Sequence, residues 1–177
     1  MKAAGAVLLF FWALQARNRY ACGKSVEMLW NCNVATFSVA VGSLLRWDRA
    51  ISVGLLVAML GFSMWIIGLI TGIEVTLPSL VTHPATVIVG FLGVRSCGIP
   101  AGSWWQAWLV IVGLHMLCRV ASPRELNVNL AHAIWPGFDR YFSSHRTYVL
   151  FLVALYFVFL FVVEAALRRY LGLDWLR

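Results

Sequence analysis

Charge is scarce in this chain. Only 12% of its 177 residues are charged, about half the share usual in a soluble domain. Just 7 are acidic. No Cys-x-x-Cys pair occurs among its 4 cysteines, which argues against a zinc site. No stretch alternates apolar and polar residues in the manner of a membrane barrel. Together these absences exclude a charged soluble domain, and they disfavour a structural zinc module and strands.

What the chain has instead is apolar length. Hydrophobic residues make up 62%, and they lie in runs at 28–45, 51–72, 75–94, 104–120 and 147–167. Each run is near the ~20 residues that a helix needs to cross a bilayer. In lipid every backbone polar group must be satisfied within the segment, so the runs predict helices. The fold class is all-α, a polytopic membrane helical bundle of five to six transmembrane helices. The whole chain, 1–177, forms one helical domain.

The first residues form a separate question. "AGAVLLFFWAL", residues 4–14, is apolar after Lys2 and resembles the core of a secretory signal. Leu14 stands where a small residue precedes a cleavage site. A retained short helix over 3–16 is the expectation, with a core bundle over 28–167.

The formal charge of +7 would point to nucleic acid in a soluble protein. Here the basic residues fall between apolar runs, where they meet lipid headgroups. With six helices the lysines and arginines divide evenly between the two sides, so the positive-inside rule does not orient the bundle.

Relative orientation is more informative. Side X is where the 28–45 helix begins, and side Y is the opposite one. Alternation then brings Cys32, Thr36, His83, His115 and Cys118 into the X half, and puts the connection 121–146 on X with Asn127, Asn129, His132 and His145. All four histidines converge there. Cys97 lies on Y, apart from Cys22, Cys32 and Cys118, so the cysteines do not form a disulfide set. Glu164 is an acidic residue within a span near Y, placed to snorkel or to pair with Arg168 four residues on.

A nucleophile and a histidine at one depth are the minimum set for acyl transfer. Cys32 and Thr36 share a helix face. His83 precedes Pro84, which lacks an N–H and disfavours helical angles before it. A helix restarting at Pro84, capped by Thr82 or His83, would aim free N–H groups at the cluster. Asn31, Asn33, His115, Asn127, Asn129 and His132 are the candidate substrate-binding residues. A thiol reacts as thiolate, which flanking amides, a histidine and a helix N-terminus favour.

Each residue also has a plainer role. A membrane-buried cysteine acts as a small hydrophobe, and a threonine bonds its own helix. His115 suits a helix contact, and Trp104, Trp105 and Trp108 suit an interfacial belt. Convergence of costly polar groups in one membrane half is what raises the cluster above these readings. No cofactor or metal is expected, since two histidines at these depths match a b-type haem poorly.

"LWNCNVAT", "VTHPATVIVGF" and "NVNLAH", followed by a final apolar helix, resemble the YwaF-like bacterial integral membrane proteins. The same order is similar to a eukaryotic ether-phospholipid acyltransferase and, more distantly, to the androgen-induced intramembrane lipid hydrolases. The resemblance runs over about residues 28–167. It implies a thiol nucleophile at Cys32, or a threonine nucleophile at Thr36, with His83 as the partner base. It also implies a membrane-lipid substrate and a bacterial cytoplasmic membrane. The acyltransferase-like motif often reads Cys-His, whereas Asn33 follows Cys32 here, and an amide cannot take the proton. Three functions stay open: acyl transfer or ester hydrolysis; non-catalytic binding of a lipid or partner; and transport, which at this size requires a homo-oligomer. Hydrogen-bond reach between Cys32 or Thr36 and His83 separates the first from the second. Two further expectations follow. Cys32, His83, His115 and Asn129 line one cavity, and 121–146 forms a partly helical cap with Asn127 and Asn129 bonding inward.

Overall fold

A computed structural model describes residues 1–70 and 77–173. Six α-helices make up the described fold: α1 (Lys2–Ala21), α2 (Asn31–Leu45), α3 (Asp48–Ile70), α4 (Leu77–Cys97), α5 (Ser103–Ala121) and α6 (His145–Leu171). No strand occurs among the described residues. The protein is a helical bundle, and α3, α4, α5 and α6 are each long and apolar enough to cross a membrane. The expected helix ends at 72 and 75 lie outside the described residues.

Three boundaries differ from the expectation. The first helix is longer than 3–16, because Gln15, Arg17, Asn18 and Arg19 continue it in a polar last turn. The helix expected from residue 28 starts at Asn31, after a 3₁₀ turn over Ser25–Leu29. Its 15 residues rise only about 22 Å, so α2 is short for a span. The restart at Pro84 does not occur. Leu77–Cys97 is one helix with Pro84 inside it, and Pro78 occupies the first turn, where a missing N–H costs nothing. Within a bundle, neighbouring helices and hydroxyl side chains tolerate an internal proline. Thr82 and His83 are therefore helix-interior residues.

The apolar α3 is the centre of the bundle and touches α2, α4, α5 and α6. Leu55, Leu56, Val57 and Leu60 are buried in its core. On one side α2 and α4 lie against it, with α1 outside them. On the other side are α5 and α6. Small residues bring the first group close, as in other membrane bundles. A Cβ on Gly42 would come within 2.9 Å of Ile51, and one on Gly54 within 2.9 Å of Val39. Gly5 seats α1 equally tightly against Ala40 and Ser43.

The connection 121–146 contains three short 3₁₀ turns and packs on the X ends of the helices. Val128 and Ala131 are buried against Cys118, Leu29 and Trp30. Leu130 packs with Tyr148, Leu152 and Met64. It is thus a partly helical cap. Asn129 bonds inward as expected, but Asn127 does not. The Asn127 side chain accepts from the backbone of His132 and Ala133 and closes its own loop, because its left-handed backbone turns the chain back there.

On side Y, Glu164 and Arg168 are fully buried and paired at 2.8 Å. Glu164 also accepts from the Trp104 N–H at the start of α5, and Arg168 donates to the Ile99 carbonyl. The pair forms, without snorkelling, because both charges find backbone partners at the turn before α5.

Candidate functional site

The α2 N-terminus is tied down from a distant part of the chain. Trp30 is its N-cap residue and offers no side-chain cap. The Asn31 N–H instead donates to Asn129 Oδ1 at 2.9 Å, which satisfies one of the unpaired donors every helix start carries. Asn129 holds a left-handed backbone, φ 53°. Its Nδ2 donates to the Leu29 carbonyl and to Cys118 Sγ. The position of Cys32, next in the chain, depends on this clamp.

Cys32 lies in the first turn of α2 and faces α3 at Gly61, where an added Cβ would meet its own Cβ at 3.5 Å. One turn along the same face of α3, Trp65 stacks on His83, centroids 4.7 Å apart and planes at 12°. Cys32 and His83 thus pack on adjacent turns of one helix.

A second contact sets their depth. Gly42 lies against Ile51 and Gly61 against Cys32, so α2 and α3 are antiparallel. Gly93 lies against Ile51, and His83 against Trp65, so α3 and α4 are antiparallel too. The parallel helices α2 and α4 meet where Thr36 and Thr86 hydroxyls share a 2.8 Å hydrogen bond. Cys32 is four residues before Thr36, and His83 three before Thr86. At 1.5 Å per residue their depths differ by only about 1.5 Å.

The protonation of His83 follows from its partner. Nδ1 lies 2.8 Å from the Ser79 carbonyl. A carbonyl only accepts, so Nδ1 carries the proton in this bond and Nε2 holds a lone pair. Ser79 Oγ, itself contacted by Trp65 Nε1, sits 3.2 Å from the same Nδ1. The ring is therefore held on one face by indole and along one edge by its own helix.

No hydrogen bond joins Cys32 or Thr36 to His83 among the described residues. Thr36 is committed elsewhere. Its hydroxyl donates to the Cys32 carbonyl at 2.8 Å or to Thr86, while Thr86 donates to the Thr82 carbonyl. Both threonines are buried.

The cavity at His115 and Asn129 is not the single one expected. His115 and Asn129 share a small cavity with Asn31 between α2, α5 and α6, and neither Cys32 nor His83 is on its wall. Asn31 at the α2 start reaches this cavity, whereas Cys32 faces Gly61 of α3 and His83 lies on Trp65 of α3. His132 belongs to neither place, since its Nε2 donates to the Ser122 carbonyl and holds the cap. Asn33 is buried and engaged on three sides: Gln15 and Trp12 of α1 donate to its side chain and backbone, and its own Nδ2 donates to the Glu27 carbonyl.

Several of these partners were not singled out from sequence. Thr86, four residues after the cap candidate Thr82 on an apolar helix, carries the periodicity of a polar stripe and is recognisable in retrospect. Trp65 and Gln15 carry no such signal. Among the described residues no three His, Cys, Asp or Glu side chains gather as a metal site would require. Comparison with protein-family models, curated proteins and solved structures finds no match to this chain.

Proposed function

We propose that this is an intramembrane lipid-handling protein of the bacterial cytoplasmic membrane, acting by acyl transfer or ester hydrolysis at Cys32. The observation that carries the reading is the Thr36–Thr86 contact, which brings a thiol and a lone-pair-bearing imidazole nitrogen to one depth. In this reaction the Cys32 and His83 side chains first close to hydrogen-bond distance; Cys32 then gives its proton to His83 Nε2, and the thiolate attacks the carbonyl carbon of a lipid ester. The C–O bond breaks, and the leaving alcohol takes the proton back from His83. The resulting thioester is attacked by an acceptor alcohol or water, which passes its proton through His83 to restore the thiol.

A second reading rests on the missing Cys32–His83 hydrogen bond. The cluster then binds a lipid headgroup or a partner without chemistry, and Thr36, Thr86 and His83 serve as polar contacts. Labelling in native membranes with an acyl-like electrophile distinguishes the two. Catalysis requires a label on Cys32 that is lost in Cys32→Ala and falls at least about tenfold in His83→Ala. A label that persists in the Cys32→Ala, Thr36→Ala double variant, or that ignores His83→Ala, leaves only the binding reading. Lipid profiles of wild type and His83→Ala then report which lipid class is involved.

A further inference from the structure

The cavity between the α2 N-terminus, α5 and α6 is independent of the Cys32 chemistry and has its own logic. Asn31, His115, Asn129 and Tyr156 contribute its polar wall, and Ile111 and Leu152 are among its apolar neighbours. Its volume is about 10 Å³, the room of one water molecule.

Its polar groups are not matched to one another. Asn31 Oδ1 is buried and has no hydrogen-bond partner. His115 Nδ1 lies 3.1 Å from the Asn129 carbonyl, so Nδ1 carries the proton and Nε2 is a second acceptor without a protein partner. Tyr156 lines the same cavity, and its phenol makes no hydrogen bond to any described residue. Asn31 Oδ1 is thus a buried acceptor without a donor, on a cavity wall that it shares with the half-buried His115 and Tyr156. A buried acceptor left without a donor is costly.

The chemistry of the three groups selects the occupant. An anion would face two lone pairs. An ammonium headgroup or a glycerol hydroxyl carries more substituents than the space holds. A water has two protons for the acceptors and a lone pair for the phenol, and about three bonds is the usual count for a buried water.

We propose that this cavity is a site for a single ordered water, which donates to Asn31 Oδ1 and His115 Nε2 and accepts from Tyr156 Oη. The water links the α2 start, α5 and α6, beside the Trp108–Val153 bond that already joins α5 to α6. It also removes Asn31 and His115 from the set of lipid contacts.

Water-edited solid-state NMR of the full chain in lipid bilayers tests this. The expected result is rapid polarisation transfer from water to the His115 ring and the Asn31 amide, at a level at least twice that of Leu56, which is buried in the core away from this cavity. Transfer to the His115 ring from acyl-chain protons in place of water would overturn the proposal. So would absence of transfer from either source, which describes an empty cavity. Asn31→Leu fills the space, and in that variant the water signal at His115 is lost while the remaining helix resonances stay in place. Water transfer to His115 that survives Asn31→Leu also sinks the assignment.

Discussion

Thr36 of α2 and Thr86 of α4 hold a 2.8 Å hydrogen bond across the bundle, and each is also bonded to the carbonyl four residues back in its own helix. Three contacts share two hydroxyl protons, so the two threonines act as one unit. A double-mutant cycle with Thr36→Val and Thr86→Val should give a coupling of about 1 kcal/mol, near the upper range for membrane hydrogen bonds. Unfolding in detergent micelles provides the measurement. Strict additivity of the two single variants would show that the contact contributes nothing.

The Glu164–Arg168 pair should behave differently. Glu164→Ala leaves a buried guanidinium without its carboxylate and should cost about 3–5 kcal/mol. Replacing both, as Glu164→Leu with Arg168→Met, should recover about half of that loss, because no unpaired charge remains. The double variant still loses the bonds to Trp104 and Ile99, so recovery stops short of wild type. A double variant as unstable as Glu164→Ala would contradict this account.

Asn129 combines two demands. Its side chain makes bonds to Asn31, Leu29 and Cys118, and its backbone is left-handed. Asn129→Ala loses both advantages and should cost about 2 kcal/mol or more, since it orphans buried partners. Asn129→Gly loses the bonds but tolerates the backbone, and should be milder by about 1 kcal/mol. Equal thermal stability of the two variants would mean that the backbone conformation is unimportant.

Cys22 and Cys97 are both exposed, on sides X and Y, whereas Cys118 is buried. A membrane-impermeant maleimide applied to intact cells should modify one of the two exposed thiols and reach the other only after permeabilisation. Single-cysteine variants read by mass spectrometry identify which, and so orient the bundle. Modification of both from the same side would overturn the topology.

The helical class and the positions of the long spans were legible in the sequence because they depend on local composition. A run of apolar residues near the bilayer length has one stable form in lipid, whatever it packs against. The gathering of polar residues on side X was legible for a related reason, since alternation follows from counting spans. The same counting placed Cys32 and His83 at similar depths, and the Thr36–Thr86 contact gives that match its geometry.

Lateral arrangement was decided only by the tertiary structure. Depth says nothing about which helices are neighbours. Cys32 and His83 turn to α3, at Gly61 and Trp65, while the neighbouring Asn31 meets His115 and Asn129 in a cavity with α5 and α6, and no periodicity in the sequence reports it. Pro84 illustrates the same limit. Its local preference is to end or restart a helix, yet α4 runs through it because packing in a bundle outweighs one missing N–H. Asn33 and Asn127 carry the side chains of binding residues, but Gln15 and the His132 backbone are what they meet. Partners 18 and 98 residues away, for Asn33 and Asn31, are supplied by the fold, since a side chain's chemistry states what it is able to bond and only packing determines what is within reach.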